Sequence, residues 1–353
     1  MQKNGILTFI LVFAFVVLGF SVNAQQDCSS KLDKARELFS SGQIEEIPSL
    51  LESCLESGLT KEEKIQATIL LIQVYLFDSD REKAEQYMVF FLQNFPEYEV
   101  KPSDPAEFKE LYKSFELKPV WGIGVIAGSN LPIVSVTQHY STENLNKLNS
   151  KYSPNGIGFD AGLYINKYIL PNLWISLNMR YSMINFKRKD MMADQEELNY
   201  SEKSGWISAP FSINFSLGTS RLSPYLFAGA DFGYLISDKS YILKRNLVDK
   251  TIPNVVQKST DIRRNREALG ISALGGLGLQ YKAMGGYFNI SLGFSYYLTP
   301  YVKSGTRYSD TNRLYYYQYI DDDFKVHRLS FALGYTKIFY RFMKKKTESN
   351  ETN

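Results

Sequence analysis

Two hydrophobic periodicities divide the chain into an N-terminal and a C-terminal part. In residues 28–117 apolar side chains recur every three or four positions, so that Leu32 and Ala35 share one face of a helix. From Trp121 onward the period is two, and in "GGYFNISLGFSYYL" (285–298) the apolar residues alternate with Asn, Ser and Gly. The pattern therefore predicts an α+β protein, with an α-helical domain followed by a domain of antiparallel β-strands.

The helical part predicts two helical hairpins and a closing helix. Glycines end the first two helices at Gly42 and Gly58, and Thr60 with Glu63 forms a capping box at the start of the third. The second hairpin resembles a tetratricopeptide (TPR) repeat in the spacing of Leu71, Tyr75, Ala84 and Pro96. We interpret the region as a degenerate TPR-like pair of repeats, and an unrelated small helical bundle is the alternative.

Eight alternating segments follow the helical part. They are residues 120–128, 156–167, 172–186, 205–218, 222–237, 266–282, 285–298 and 326–342. Their connections alternate between long and short, and "GTSRL" and "KAMGG" are two of the short ones. Outer-membrane β-barrels have an even number of antiparallel strands, short periplasmic turns and longer extracellular loops. We therefore expect an eight-stranded transmembrane β-barrel over residues 118–343 and a periplasmic helical domain over residues 25–117.

The two faces of each predicted strand differ in polarity. One face is apolar, whereas the other carries Gly, Ser, Asn, Asp and Arg, which suits the crowded lumen of a narrow barrel. The apolar face would then meet hydrocarbon, where only a closed barrel pairs every backbone group. Asp160, Arg180 and Asp231 fall at inward positions and predict a lumenal charge network, with Asp160 roughly opposite Arg180. A catalytic carboxylate or an ion path is the alternative for this network.

The last predicted strand breaks the alternation. In "LSFALGYTKIFYRF" strict alternation would turn Lys337 and Arg341 toward lipid. A β-bulge near Thr336 would switch the parity and point the apolar residues outward instead. The alternative is that the two basic side chains reach the periplasmic headgroups.

Both ends of the chain predict segments outside the fold. Residues 6–20 form an apolar run behind Lys3, and Ala24 closes a small-residue cleavage site, which is the pattern of a secretory signal peptide over residues 1–24. An uncleaved anchor helix is the alternative. Residues 344–353 are polar, and we expect a disordered tail.

The only two cysteines, Cys28 and Cys54, lie in the helical part. In an exported protein this pair predicts a disulfide that staples the first helical hairpin. Free thiols or a metal site are weaker interpretations, since two cysteines with the distant His139 and His327 make a poor ligand set. We expect neither a metal nor a cofactor.

Composition narrows the possible partners. The formal net charge is only +3, so the chain lacks the basic footprint of a nucleic-acid-binding protein. Aromatic residues make up 14% of the chain, and such side chains favour the interface between membrane and water.

The barrel region resembles the PorT-like outer-membrane β-barrel family. The resemblance lies in "ISAPFSINFSL" and "SPYLFAGADFGYLI", where Pro210, Pro224, Tyr225 and Gly229 match a strand with a central proline and a "PY-x-x-x-G" strand. It implies a barrel in the bacterial outer membrane, in a class that includes components of secretion and gliding machinery. The helical domain departs from a plain barrel of that family.

Function is predicted from this domain arrangement. We expect a non-enzymatic, membrane-anchored adaptor that binds periplasmic or outer-membrane proteins through residues 28–117, in secretion, outer-membrane assembly or envelope organisation. The aromatic cluster of residues 313–323 would serve contacts at the cell surface. The alternative is a lipid-modifying hydrolase or acyltransferase that uses His139 or His327 as a base, although the chain has no nucleophile-elbow motif.

Overall fold

The computed structural model describes residues 27–142, 149–192, 195–218 and 220–344. The chain forms two compact units, Met1–Lys118 with Tyr340–Asn353, and Pro119–Phe339. The signal peptide predicted over residues 1–24 and the tail beyond residue 344 lie outside the described residues.

Five helices form the described part of the first unit up to residue 113. They are α1 (27–40), α2 (Ile47–Glu56), α3 (Lys61–Phe77), α4 (Arg81–Asn94) and α5 (Ala106–Lys113). The capping box at Thr60 is confirmed, because its hydroxyl accepts the N–H of Glu63 while the Glu63 carboxylate accepts the N–H of Thr60. This reciprocal pairing satisfies backbone donors at the start of α3.

The apolar faces of these helices form one core. Phe91 lies at its centre and contacts Phe108 and Tyr98 edge-on, with ring centroids 5.2 and 5.0 Å away. The structure joins Cys28 of α1 to Cys54 of α2 in a disulfide with a sequence separation of 26. A crosslink of this kind limits the unfolded chain, which matters for a core of this small size.

The structure contains ten strands and a sixth helix within the described residues. The strands are β1 (Phe115–Gln138), β2 (Asn149–Pro154), β3 (Gly158–Leu170), β4 (Leu173–Met192), β5 (Glu196–Ser216), β6 (Leu222–Asn246), β7 (Val255–Asp261), β8 (Leu269–Ala283), β9 (Gly286–Tyr297) and β10 (Asp323–Lys344), and the helix is α6 (Thr311–Tyr317). Strand β1 begins directly after α5, so residues 116–120 lie within it.

Eight of the described strands close into a ring, which confirms the predicted eight-stranded barrel. The order around the ring is β1, β3, β4, β5, β6, β8, β9 and β10, and β10 returns to β1. The other two strands extend the sheet, because β2 pairs with β4 and β7 pairs with β6. We call the end with the short turns the inner end and the end with the long connections the outer end.

Four strands continue well beyond their predicted limits at the outer end, and the first of them is β1, which extends to Gln138. Strand β4 extends to Met192, β5 begins at Glu196, and β6 extends to Asn246. The bulge predicted near Thr336 is wrong, since β10 pairs with β9 in unbroken register through Lys337. Thr336 is buried and Lys337 is exposed, so the basic side chain points outward.

Large apolar side chains cover the outside of the ring. Leu163 is 61% exposed and Met179 is 67% exposed, although each lies in the middle of a strand. The apolar belt, as we call this surface, includes Ile123, Val125, Phe159, Leu163, Leu177, Met179, Ile207, Phe211, Ile213, Leu226, Phe232, Tyr234, Leu277, Ile290, Leu292, Phe331 and Leu333. Among the described residues, no helix is long and apolar enough to cross a membrane.

Candidate functional sites

Polar side chains fill the inner half of the lumen. Tyr164 and Thr336 share a hydrogen bond of 2.6 Å between their hydroxyls, and the Asn289 amide donates to both. Across the lumen Ser176 donates to Asn166 at 2.6 Å and accepts from Asn214 at 2.9 Å. These groups surround a chamber of about 130 Å³. Its wall also contains aromatic rings, those of Tyr168, Trp174, Tyr225 and Phe227.

A charge network lies above this chamber. The Asp231 carboxylate accepts hydrogen bonds from the guanidinium groups of Arg180, at 2.7 Å, and of Arg328, at 3.0 Å. Asp231 and Arg328 are each 1% exposed. One carboxylate oxygen therefore holds the buried guanidinium group of Arg328 and the half-buried one of Arg180, which come from strands β10 and β4 that lie apart in the ring.

The structure places two of the three predicted network residues together. Arg180 contacts Asp231, and Asp160 lies opposite Ser182 in the β3–β4 register, two positions along β4 from Arg180. Asp160 is buried, and its Oδ1 has no hydrogen-bond partner within the described residues. Arg328 was not predicted as part of this network. It could have been, because Arg328, Ser330 and Ala332 are alternate residues of β10 and point to the same, inward face.

The two faces of β4 exchange polarity at the outer rim of the belt. Below the rim, Leu177, Met179 and Tyr181 point outward while Ser176, Asn178, Arg180 and Ser182 point inward. Above the rim, Asn185, Lys187 and Lys189 point outward while Ile184 and Phe186 are fully buried. The outside of the same strand is thus apolar over one stretch and charged over the next.

An apolar core fills the outer end of the barrel. This outer core consists of Ile184, Phe186, Met192, Leu198, Tyr200, Trp206, Leu235, Ile242, Tyr301, Val302, Tyr319, Phe324 and Val326. Tyr301, Val302 and Tyr319 come from the last long connection, which therefore folds into the barrel mouth. Only part of the aromatic cluster at 313–323 is free for surface contacts, because Tyr315 and Tyr316 are 76% and 69% exposed whereas Tyr319 is buried.

Buried ion pairs tie this connection to the strands. Arg266, whose side chain is 0% exposed, donates to both carboxylate oxygens of Glu202 at 2.8 and 2.7 Å. It also donates to both oxygens of Asp321, at 3.0 and 3.1 Å. A second pair, Arg188 with Asp322, lies at 3.0 Å. These contacts form a plug of loop residues, held by bidentate arginine geometry.

The pKa values of two acidic groups in this network are shifted in opposite directions. They lie beyond the apolar belt, which ends at Tyr234 on β6. Burial and the neighbouring Glu202 carboxylate raise the pKa of Asp238 well above its usual value. Burial also opposes ionisation of Asp321, but the charges of Arg266 and Arg313 hold the pKa of that carboxyl well below its usual value.

This difference predicts opposite effects of amide substitution. The pKa of Asp238 is higher in the folded protein than in the unfolded chain. The contribution of this carboxyl to the free energy of unfolding is therefore fully present at low pH, and it is lost as the pH rises above about 4. Between these two pKa values, the free energy of unfolding of Asp238→Asn should rise relative to that of the wild type by about 1.4 kcal/mol for each pH unit. Asp321→Asn should instead be less stable at neutral pH. Thermal unfolding between acidic and mildly alkaline pH measures both, and equal effects of the two variants would contradict this assignment.

The two histidines of the predicted catalytic alternative occupy different settings. His139 is half exposed, and its Nδ1 lies 3.4 Å from Oδ2 of Asp322. His327 is buried; its Nδ1 accepts the N–H of Tyr297 at 3.0 Å, and its ring stacks on Tyr296 with centroids 4.4 Å apart. The structure does not bring the two together, and each makes a contact that accounts for its position without a reaction.

The helical unit contains a groove of about 250 Å³. It is lined by Arg36 of α1, by Gln66, Ile69, Leu70 and Gln73 of α3, and by Asp104 and Pro105 before α5. Gln66 is exposed, with its amide oxygen already accepting a hydrogen bond from the Arg36 guanidinium, and Gln73 is half-buried, so the Gln66 NH2 group and the Gln73 amide lie above an apolar floor. Amides can pair with the peptide groups of an extended chain, and the floor can receive its side chains.

The acidic and histidine side chains do not form a metal centre in the part of the chain that the structure describes. No group of three or more His, Cys, Asp or Glu residues there has an arrangement that could hold a metal ion. Both cysteines are already joined to each other.

Comparisons with known proteins returned solved structures alone. No protein-family model matches the chain, and no curated protein matches its sequence. The chain is similar to the outer membrane protein OprG from Pseudomonas aeruginosa (9% identity, 63% of this chain and 97% of that chain, TM-score 0.36). It is also similar to a major outer membrane protein from Thermus thermophilus (11% identity, 62% and 99%, TM-score 0.32). A third is the outer membrane protein AlkL, determined in DMPC lipid bilayers (13% identity, 71% and 98%, TM-score 0.27).

Proposed function

We propose that the chain is a non-enzymatic β-barrel protein of the bacterial outer membrane whose periplasmic helical unit binds a partner protein. The exchange of polarity along β4 carries this proposal. Where the outside of the strand is apolar the solvent is lipid, and where it carries Lys187 and Lys189 the solvent is water. If water surrounded the barrel along its whole length, the outer face of β4 would be expected to be polar throughout rather than apolar over one stretch and charged over the next.

Strand topology supports the orientation. Trp121 of β1 pairs with Lys167, next to the short turn between β3 and β4, so β1 starts at the inner end of the ring. Short turns face the periplasm in outer-membrane barrels. The helical unit, which precedes β1, would therefore lie in the periplasm, where a disulfide between Cys28 and Cys54 is stable.

The contents of the lumen support an anchor rather than a pore. The Asp231 network crosses the lumen, and the outer core and its plug fill the outer end. Eight strands leave an interior just wide enough for side chains to fill. Because all these side chains hold each other in place, a solute path would require several buried ion pairs to break.

The groove of the helical unit supports the adaptor role. Its apolar floor and accessible amides suit an extended polypeptide segment, and tandem helical hairpins commonly present such concave surfaces. The sequence resemblances to TPR repeats and to PorT-like barrels point the same way, toward protein contacts in secretion, outer-membrane assembly or envelope organisation.

Site-specific crosslinking in cells tests the adaptor role. A photo-crosslinking amino acid at Gln66 or Gln73 should capture the same protein, because both side chains line the groove. Gln86, an exposed glutamine on α4, is the matched control and should not capture it. The double variant Gln66→Arg/Gln73→Arg, which fills the groove, should reduce co-purification of that protein at least about tenfold. Equal capture from Gln86, or full co-purification with the double variant, would contradict a binding groove.

A further inference from the structure

Strand β7 has a free edge at the outer end of the barrel. Within the described residues it pairs with β6 alone, so the backbone N–H and C=O groups along its other edge face no strand. Unpaired edges are ready templates for another strand, and proteins usually cover or shorten them. The outer hairpin, as we call residues 239–261, leaves this edge open over the seven residues of β7.

Both faces of the outer hairpin near its tip are exposed. Val255 and Val256 are neighbours on β7 and therefore point to opposite faces, yet they are 40% and 44% exposed. Leu247, Val248 and Ile252 in the connecting turn are exposed as well. Backbone pairing with β6 thus holds β7, whose side chains are exposed apart from the half-buried Gln257 and Thr260. Clustered exposed apolar residues of this kind mark interaction sites.

The hairpin is also basic. Lys239, Lys250 and Lys258 are exposed and form no ion pair within the described residues, and neither does the exposed Arg264 just after the hairpin. Two acidic residues, Asp249 and Asp261, also lie in the hairpin, where their carboxylates accept the N–H groups of Thr251 and Arg263. The three lysines without an ion pair outnumber these two carboxylates by one, so the hairpin keeps a small positive excess and a complementary partner is acidic.

We infer that β7 receives an extended, acidic segment of a partner protein as an added strand. The open edge supplies main-chain hydrogen bonds, the valines contact apolar side chains on either face, and the lysines pair with carboxylates. A second copy of this chain is disfavoured as the occupant, because edge-to-edge pairing of two β7 strands would bring their lysines together. A polyanion without a peptide backbone would satisfy the charges but leave the edge unpaired.

Peptide binding to the full-length protein in detergent micelles tests this inference. The probe is a fluorescent synthetic peptide in which Glu and Val alternate, and binding is followed by fluorescence anisotropy. The wild type should bind it saturably, and Lys250→Glu/Lys258→Glu should weaken binding at least about tenfold. Lys303→Glu, at an exposed lysine elsewhere at the outer end, should leave binding unchanged. Absence of saturable binding, or equal loss in the control, would overturn the proposal.

A backbone-modified probe separates strand addition from plain charge attraction. The same peptide carrying N-methyl groups at its central residues keeps every charge but loses the N–H donors along both edges. We expect its affinity to fall at least about tenfold. If the N-methylated peptide binds as tightly as the parent, or if dextran sulfate binds as tightly as the peptide, the hairpin is a polyanion site and strand addition is refuted. Neither outcome bears on the groove of the helical unit.

Discussion

Met179→Arg is expected to lower the free energy of unfolding in lipid vesicles by about 2–4 kcal/mol. Met179 lies at the middle of the apolar belt, opposite Leu163 on β3, which in turn lies opposite Val125 on β1. A guanidinium group there would have to enter hydrocarbon or drag water and headgroups toward it. Denaturant unfolding of the protein in vesicles, followed by tryptophan fluorescence, measures this loss.

The matched control places the same arginine on the outside beyond the belt. Val248 is 72% exposed, similar to Met179, but it lies at the tip of the outer hairpin. Val248→Arg should change the free energy of unfolding by less than about 0.5 kcal/mol. Equal stability of the two variants would mean that Met179 already meets water, and the membrane assignment would fail.

Asp231→Asn is expected to cost about 3–5 kcal/mol of stability. The substitution preserves shape but removes the negative charge that holds the guanidinium groups of Arg180 and Arg328. Two like charges would then remain close together in the lumen without the carboxylate that they share. The same vesicle unfolding experiment measures this cost.

Asp160→Asn is the control for this prediction. It makes the same chemical change at another buried lumenal carboxylate, one without an ion pair in the described part of the chain. We expect a loss below about 1 kcal/mol, within the range of ordinary substitutions. A larger loss at Asp160 than at Asp231 would show that the network is centred on the wrong carboxylate.

Much of the barrel could be predicted because lipid and a polar lumen impose opposite demands on alternate residues. From that alternation it follows that Leu177 and Ile213 point outward while their neighbours Ser176 and Ser212 point inward. The same alternation identifies eight segments. It could not reveal β7, because both faces of Val255–Asp261 meet solvent and no alternation remains. The alternation also did not predict the outer part of β4, because Ile184 and Phe186 reverse the pattern where the outside changes from lipid to water.

The charge networks were harder to predict, because they depend on register and on loops. The inward positions of Arg180 and Asp231 follow from parity, but the partner of each depends on shifts between strands that no local pattern encodes. Asp321 and Asp322 lie in a polar loop and would be expected on the surface. They are buried because Arg266 and Arg188, which come from other parts of the chain, neutralise them.

Solvent accessibility along β4 tests the central claim most directly. Spin labels at each position from 176 to 189, with the protein in lipid vesicles, report collisions with oxygen, which concentrates in hydrocarbon, and with a nickel chelate, which stays in water. We expect high oxygen accessibility at Leu177, Met179 and Tyr181, and high nickel accessibility at Lys187 and Lys189. Nickel accessibility at Leu177 and Met179 equal to that at Lys187 would contradict a lipid-facing barrel.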